Sequence, residues 1–234
     1  MLIALDFESE AIDTRPSYPP TPVGLAVYVD GDPPYYMAWG HPTQNNITYT
    51  RARERLEGLL SSPMSEFIFH NAPFDCAIIE EKMGLTVPWE RIHDTMLAAF
   101  LLNPFGELSL KPLAEFYLGE APTERDAVRD WLVANGVCRA LDKSWGAHIS
   151  KAPGDIVGPY AIGDVRKTMG LSKLFKAKIE QKTPVITQKE QMLRQVLKDK
   201  ISTAIAWGVP DNESTGMSQS ELVSLLAQAK KELP

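Results

Sequence analysis

Asp6 and Glu8, two residues apart in the opening run LIALDFES, are the side chains with the most to say about chemistry. The apolar run that carries them reads as a buried strand, and residues two apart on a strand share a face. The two carboxylates therefore stand side by side. Unit charges about 4 Å apart repel by roughly 4 kcal/mol at an effective dielectric near 20. A shared proton, a basic partner or a divalent cation can offset that repulsion. Two further acids, Asp75 in HNAPFD and Asp164 in PYAIGDV, favour the cation. Phosphoryl hydrolysis on two metal ions needs a bridging carboxylate, further acidic ligands and a group that places the attacking water. Tyr160, four residues before Asp164 and so its neighbour on a helical face, is a candidate for that last part. Taken singly, each residue also has a plain structural reading. An Asp early in a helix is favoured by the helix dipole, Asn71 is a natural N-cap, and Tyr160 could be a core aromatic.

These residues need elements to bring them together. Residues 2–7 read as a buried strand, and 23–29 and 35–39 as two more, joined by the turn DGDPP after the proline-rich loop SYPPTP. Three early strands in meander order imply the antiparallel part of a mixed sheet. A helix over about 50–61, a short strand at 67–69 and a helix over about 72–83 follow, the last ended by Gly84 with Pro73 in its first turn. From residue 94 the pattern is mostly helical, with Gly119 and Gly136 where helices end. A helix over 158–181 carries Tyr160 and Asp164, and the Thr-Pro step at 183–184 is expected to break it. A helix over about 187–207 and a last one near 219–232, opened by the capping box Ser218 to Glu221, complete the chain.

At 234 residues the chain can bury one good-sized core, or a core plus an appendage. No apolar run approaches the roughly 20 residues of a membrane span, and the five-residue opening stretch lacks the basic flank of a signal peptide. Two cysteines, Cys76 and Cys138, form no disulfide framework or metal pair, which fits a reducing, cytoplasmic setting. The net charge of −6 hides an uneven distribution. Residues 1–138 hold 9 basic and 20 acidic side chains, whereas residues 139–200 hold 13 and 6. A cationic segment around Asp164, beside a pocket of acids, suits a site that cuts phosphodiesters: cations for the backbone, carboxylates for metal.

Taken in order, DFE, HNAPFD and YAIGD resemble the three motifs of the DEDD superfamily of 3'–5' exonucleases, and HDTMLAAFLLNPFGELSLKPLAEFYLG resembles the segment between the second and third. The resemblance covers about residues 1–180. Tyr160 four before Asp164 marks the tyrosine-type branch; position 159, where the histidine-type branch is expected to carry its His, is Pro. The resemblance implies an α/β, ribonuclease H-like fold: a mixed five-stranded sheet with flanking helices, here followed by a helical C-terminal extension. It implies two divalent ions, Mg2+ or Mn2+, with Asp6 bridging them, Glu8 and Asp164 completing the tighter site, and Asp75 holding the second largely through water. Tyr160 would orient the nucleophilic water. Asn71 and Phe74 would shape the substrate pocket, Phe74 mainly by core packing. Ile12, four after Glu8, matches an apolar position that wedges between terminal bases, with a small core residue as the alternative. Trp145 or His148 could stack on the terminal base, and Asp94 and Thr95 read as buried support.

The C-terminal segment resembles the link between exonuclease and polymerase domains in family A DNA polymerases, where Glu190, Gly208, Val209 and Asp211 fit and Ile205–Ala206 depart from the pattern. The expected organisation is an exonuclease domain at 1–183 and an extension at 184–234 that resembles the start of a polymerase domain. Polymerase active-site motifs are missing from these residues, so the polymerase domain would be a partner in cis or in trans, as in split polymerases of some phages. The expected activity is a proofreading 3'–5' exodeoxyribonuclease acting on single-stranded DNA 3' ends and releasing nucleoside monophosphates. The alternatives are a ribonuclease D-like exoribonuclease, or a catalytically silent module that binds nucleic acid or a polymerase.

Overall fold

The computed structural model describes residues 1–12, 18–120 and 124–206. The chain divides into two compact units, Met1–Ile179 and Glu180–Pro234, and all that follows on the sheet and the site concerns the first. Its sheet has five strands: β1 (Leu2–Ser9), β2 (Pro22–Val29), β3 (Tyr35–Ala38), β4 (Glu66–Phe69) and β5 (Ile92–Asp94). They lie in the order β3-β2-β1-β4-β5, with β1–β2 and β2–β3 antiparallel and β1–β4 and β4–β5 parallel. The central strand is thus the one that carries the first two acids. This is the mixed five-stranded sheet with flanking helices expected from the sequence.

Both faces of β1 are covered, and the residues on them differ in size. Ile3, Leu5 and Phe7 join Leu25, Val27, Phe67 and Phe69 on one face, packed against Ala52, Leu56 and Leu60 of α1 (Tyr49–Leu60) and against Cys76 of α2 (Ala72–Ala77). The opposite face carries Ala4, Ala26 and Ala38 beside Tyr36 and Ile68. It takes Val128 and Leu132 of α5 (Glu124–Ala134) and Val157, Ala161 and Val165 of α6 (Gly154–Ala206). Small residues let α6 come close: a Cβ on Gly154 would lie 2.8 Å from the Ala38 Cβ and 2.5 Å from the Gln44 carbonyl oxygen. A third cluster joins α3 (Thr95–Leu102) and α4 (Leu110–Leu118) to Leu171 and Phe175 of α6.

Several local expectations need correction. The helix expected over 72–83 is α-helical only to Ala77; Ile78–Lys82 forms a π-turn before Gly84 at φ +59°. That wider turn leaves Ile78 and Ile79 both fully buried. α6 runs through the expected break at 183–184. Pro184 forfeits one backbone bond there, at a cost of about 3 kcal/mol, within an otherwise continuous ladder. The helix expected over 187–207 is therefore part of α6, and the one at 219–232 lies outside the described residues. Among the described residues, three short elements had no sequence signal: β5 and the 3-10 helices at Trp89–Arg91 and Trp145–Lys151.

Candidate active site

Asp6 and Glu8 project from β1 onto the small-residue face, opposite Ala26 and Gly24 in the register with β2. The small residues across the strand admit the Tyr36 ring, whose hydroxyl lies 1.9 Å from where a Cβ on Gly24 would stand. Glu8 is buried and Asp6 half-buried. Asp75 arrives from the other side of β1. Pairing between β1 and β4 ends at Ala4–Ile68, whereas β1 continues to Ser9. The Phe7 N–H, which lies between the two acids in sequence, donates instead to Asp75 Oδ1 at 2.9 Å. A buried amide needs a partner, so this bond fixes Asp75 beside the Asp6–Glu8 pair.

α2 is aimed by a second carboxylate. Asp94, at the end of β5, accepts from the N–H groups of Asn71 and Ala72 at 3.1 and 2.9 Å and caps α3 through Met96 N–H at 2.8 Å. Asn71 stands at the N-cap position in the left-handed region (φ 68°, ψ 54°), yet its exposed side chain makes no capping bond; Asp94 does that work. Thr95, also buried, donates to the Phe69 carbonyl and bonds the His70 ring at 2.9 Å. Phe74 is half-buried against the large-residue core. Ile12 is 67% exposed, so it is no core residue.

α6 brings Asp164 and Tyr160 over the same face of the sheet. Asp164 is buried, with Oδ2 3.2 Å from Lys111 Nζ and Oδ1 3.9 Å from Lys167 Nζ. Lys111, from the first turn of α4, also stands 3.8 Å above the centre of the Tyr160 ring, a cation–π contact worth about 0.5–2 kcal/mol. Trp145 meets the same ring edge-on, its centroid 6.0 Å away. With only 5% of its surface exposed it supports Tyr160, which leaves little of it to stack on a nucleotide. His148 is half-buried.

The electrostatics record how tightly the acids are gathered. Burial first, then Glu8, Asp75 and Asp164, push the Asp6 carboxyl well above its ordinary range, against the pull of Lys111. Glu8 is raised to about 8 by burial and then by Asp164, again against Lys111. Asp75 is raised to about 7, chiefly by burial, with the Phe7 amide opposing. Beneath the acids, Tyr36 donates to His41 Nε2 at 2.7 Å while His41 Nδ1 donates to the Ala152 carbonyl at 2.8 Å. Burial pushes the Tyr36 hydroxyl well up, with Glu8 and Asp6 adding to it. Burial also pushes His41 down, consistent with its neutral role in this chain of bonds.

Among the described residues no three His, Cys, Asp or Glu side chains are drawn together closely enough to hold a metal ion as they stand. The donor set nevertheless suits hard divalent cations: carboxylate oxygens only, mutually repelling, with lysine ammonium groups supplying the countercharge. Lys111, Lys167 and Tyr36 are the neighbours that sequence reasoning missed, and Trp145, expected to stack on a base, packs on Tyr160 instead. A lone lysine in the apolar stretch LSLKPLAEFYLG was the only visible signal.

The chain is 33% identical over 134 residues to the DNA polymerase of Escherichia phage T5, covering 54% of this chain and 15% of that polymerase. It therefore spans a small part of that relative's length. Among solved structures, Brucella melitensis NrnC with bound Mg2+ superposes with a TM-score of 0.51 at 15% identity, over 78% of this chain and 75% of that one. A structure described as the apo form of the nuclease gives 0.51 at 17% identity, over 78% and 74%. These two share the fold. A model of the 3'–5' exonuclease family matches residues 2–180, and the chain belongs to that family.

Proposed function

We propose that the domain removes nucleotides from the 3' end of single-stranded DNA, as the proofreading exonuclease of a family A polymerase present in cis or in trans. The observation that carries this reading is the crowding of Asp6, Glu8, Asp75 and Asp164, each of the first three raised by burial and neighbouring acids, with Tyr160 one turn from Asp164. DNA is preferred over RNA because of the relative that is a DNA polymerase. Residues 1–183 form the exonuclease domain in this reading, and 184–234 an extension toward the polymerase.

Two divalent ions held among Asp6, Glu8, Asp75 and Asp164 would activate a water and neutralise charge at the leaving 3'-oxygen. The chain's own groups do the rest. Tyr160 bonds the attacking water and orients it in line with the terminal phosphodiester. Water oxygen joins phosphorus, the bond to the 3'-oxygen breaks, and that oxygen takes up a proton. Asn71 and Phe74 shape the pocket for the terminal nucleotide. The exposed Ile12 wedges beneath its base.

The test is digestion of matched, end-labelled DNA and RNA single strands with Mg2+ or Mn2+, with and without chelator. Stepwise shortening of DNA from the 3' end, lost with chelator and in Asp6→Ala, is the expected result. Preference for RNA would replace the substrate assignment. Tight binding of intact strands under every condition would indicate a silent binding module.

A further inference from the structure

Among the described residues, Lys111 and Lys167 are cations against the acid cluster that the proposed chemistry does not use. Lys111 Nζ lies 3.2 Å from Asp164 Oδ2 and 3.8 Å above the Tyr160 ring, and its charge reaches both Asp6 and Glu8. Its side chain is 18% exposed, so it lies at the edge of the pocket, where Lys167 at 2% is walled in behind Asp164. The two lysines thus differ in kind. Lys167, one turn along α6 from Asp164, is a fixture. Lys111 hangs from a different helix on a flexible four-carbon stem and can leave without disturbing either backbone.

We propose that Lys111 is an exchangeable countercharge: without metal its ammonium neutralises the acids and roofs Tyr160, and when divalent ions enter it swings out to the phosphate oxygens of the substrate. Four carboxyl groups gather here beside the ammonium groups of Lys111 and Lys167, and a divalent ion can displace the protons that burial holds on them. A divalent ion beside Asp164 competes for the same oxygen and repels the ammonium. The nearest new partner for a displaced lysine at the pocket edge is the substrate's own phosphodiester. Lys111 is then a positioning residue in one state and a substrate contact in the other. This inference rests on the metal-dependent reading above, so its test begins with metal binding and not with turnover.

The experiment compares the full wild-type chain with Lys111→Met and Lys111→Arg. Mn2+ binding is measured by calorimetry in the absence of nucleic acid, melting is measured in chelator, and KM and kcat are measured on a single-stranded oligonucleotide. Lys111→Met should bind Mn2+ about tenfold more tightly, since a competing charge is gone. It should melt several degrees lower in chelator and show a KM raised about tenfold with a weaker dependence on salt. Lys111→Arg should restore the chelator melting temperature and most of the KM effect. Should Lys111→Met fold poorly, Lys111→Gln serves for the same Mn2+ titration. Unchanged or weakened Mn2+ binding in Lys111→Met or Lys111→Gln, with wild type binding normally, overturns the exchange and leaves the exonuclease reading intact. Absence of Mn2+ binding in wild type overturns both.

Discussion

The two faces of the central sheet are made from alternate residues of the same strands, yet they are built to opposite specifications. On β1, Ile3, Leu5 and Phe7 enter a core of large side chains, whereas Asp6 and Glu8 stand across from Ala26 and Gly24, with Tyr36 filling the space over Gly24. Each fully buried Leu, Ile or Phe on the first face contributes about 1.5–3 kcal/mol. The second face buries its own cluster, with Ile68, Val128, Leu132 and Val157 around Ala4, Ala26 and Ala38, and over those small residues α6 brings Tyr160 and Asp164 to the acids. The difference teaches where stability and chemistry are separated: by the period of two, within a single strand. A slip of one residue would exchange the faces, placing Phe7 in the pocket and the carboxylates in the core.

If that division holds, substitutions on the two faces should fail in opposite ways. Asp6→Ala should lower exonuclease activity by on the order of 10³-fold, the loss expected when a group stabilising transition-state charge is removed. In chelator it should melt no lower than wild type, because a repelling carboxylate is gone. A variant that melted far lower would assign Asp6 to the structural face. Phe67→Ala is the mirror case. Phe67 is fully buried on the large face, so the substitution should cost about 3–5 kcal/mol in denaturant unfolding while the folded fraction cuts at close to the wild-type rate. Gly24→Ala tests the second face itself. Its Cβ would fall 1.9 Å from the Tyr36 hydroxyl, so Tyr36 must shift and its bond to His41 must stretch or break. A loss of about 1–3 kcal/mol is expected from such overpacking, together with a fall in kcat, since Glu8 sits directly across from Gly24. Melting and kcat measured side by side decide it; no change in either would mean that this face has spare room.

How much of this was legible beforehand follows the same division. The large face announces itself: LIALDFES, VGLAVYV and FIF are apolar runs with turns between them, and the strands they predict are β1, β2 and β4. The acids were legible as residue types at telling spacings, and the helix that carries Asp164 followed from its flanking pattern. What connects them was not. β5 is three residues, Ile-His-Asp, and is a strand only because it pairs beside β4. The bond from Phe7 N–H to Asp75 exists because β4 ends early, a fact of register and not of composition. Lys111 stands 53 positions from Asp164 and reaches it only across the packing of α4 against α6. Trp145, which sequence reasoning offered for base stacking, turned out to buttress Tyr160 because a short 3-10 helix turns it inward.

The gentlest probe of the small face is pH, and its sign follows from which state holds more protons. Glu8 is raised from an ordinary 4.5 to about 8 and Asp75 from 3.8 to about 7. Between roughly pH 4 and pH 8 the folded, metal-free chain therefore keeps protons that the unfolded chain has released. Stability falls with pH wherever the folded state binds more protons. The advantage is fully present below the ordinary carboxylate range and is lost as pH rises through about 7 and 8. In chelator the melting temperature should accordingly drop between pH 5.5 and pH 8.5, and Glu8→Gln, which cannot ionise, should flatten that drop. Divalent ions compete with these same protons, so added Mn2+ should raise the melting temperature more at pH 8 than at pH 6. Phe67→Ala, on the other face, should shift the whole curve downward without changing its slope. If instead chelator-treated wild type grew more stable as pH rose across this window, the acids would be paired in a way that the burial of Glu8 and Asp75 does not permit.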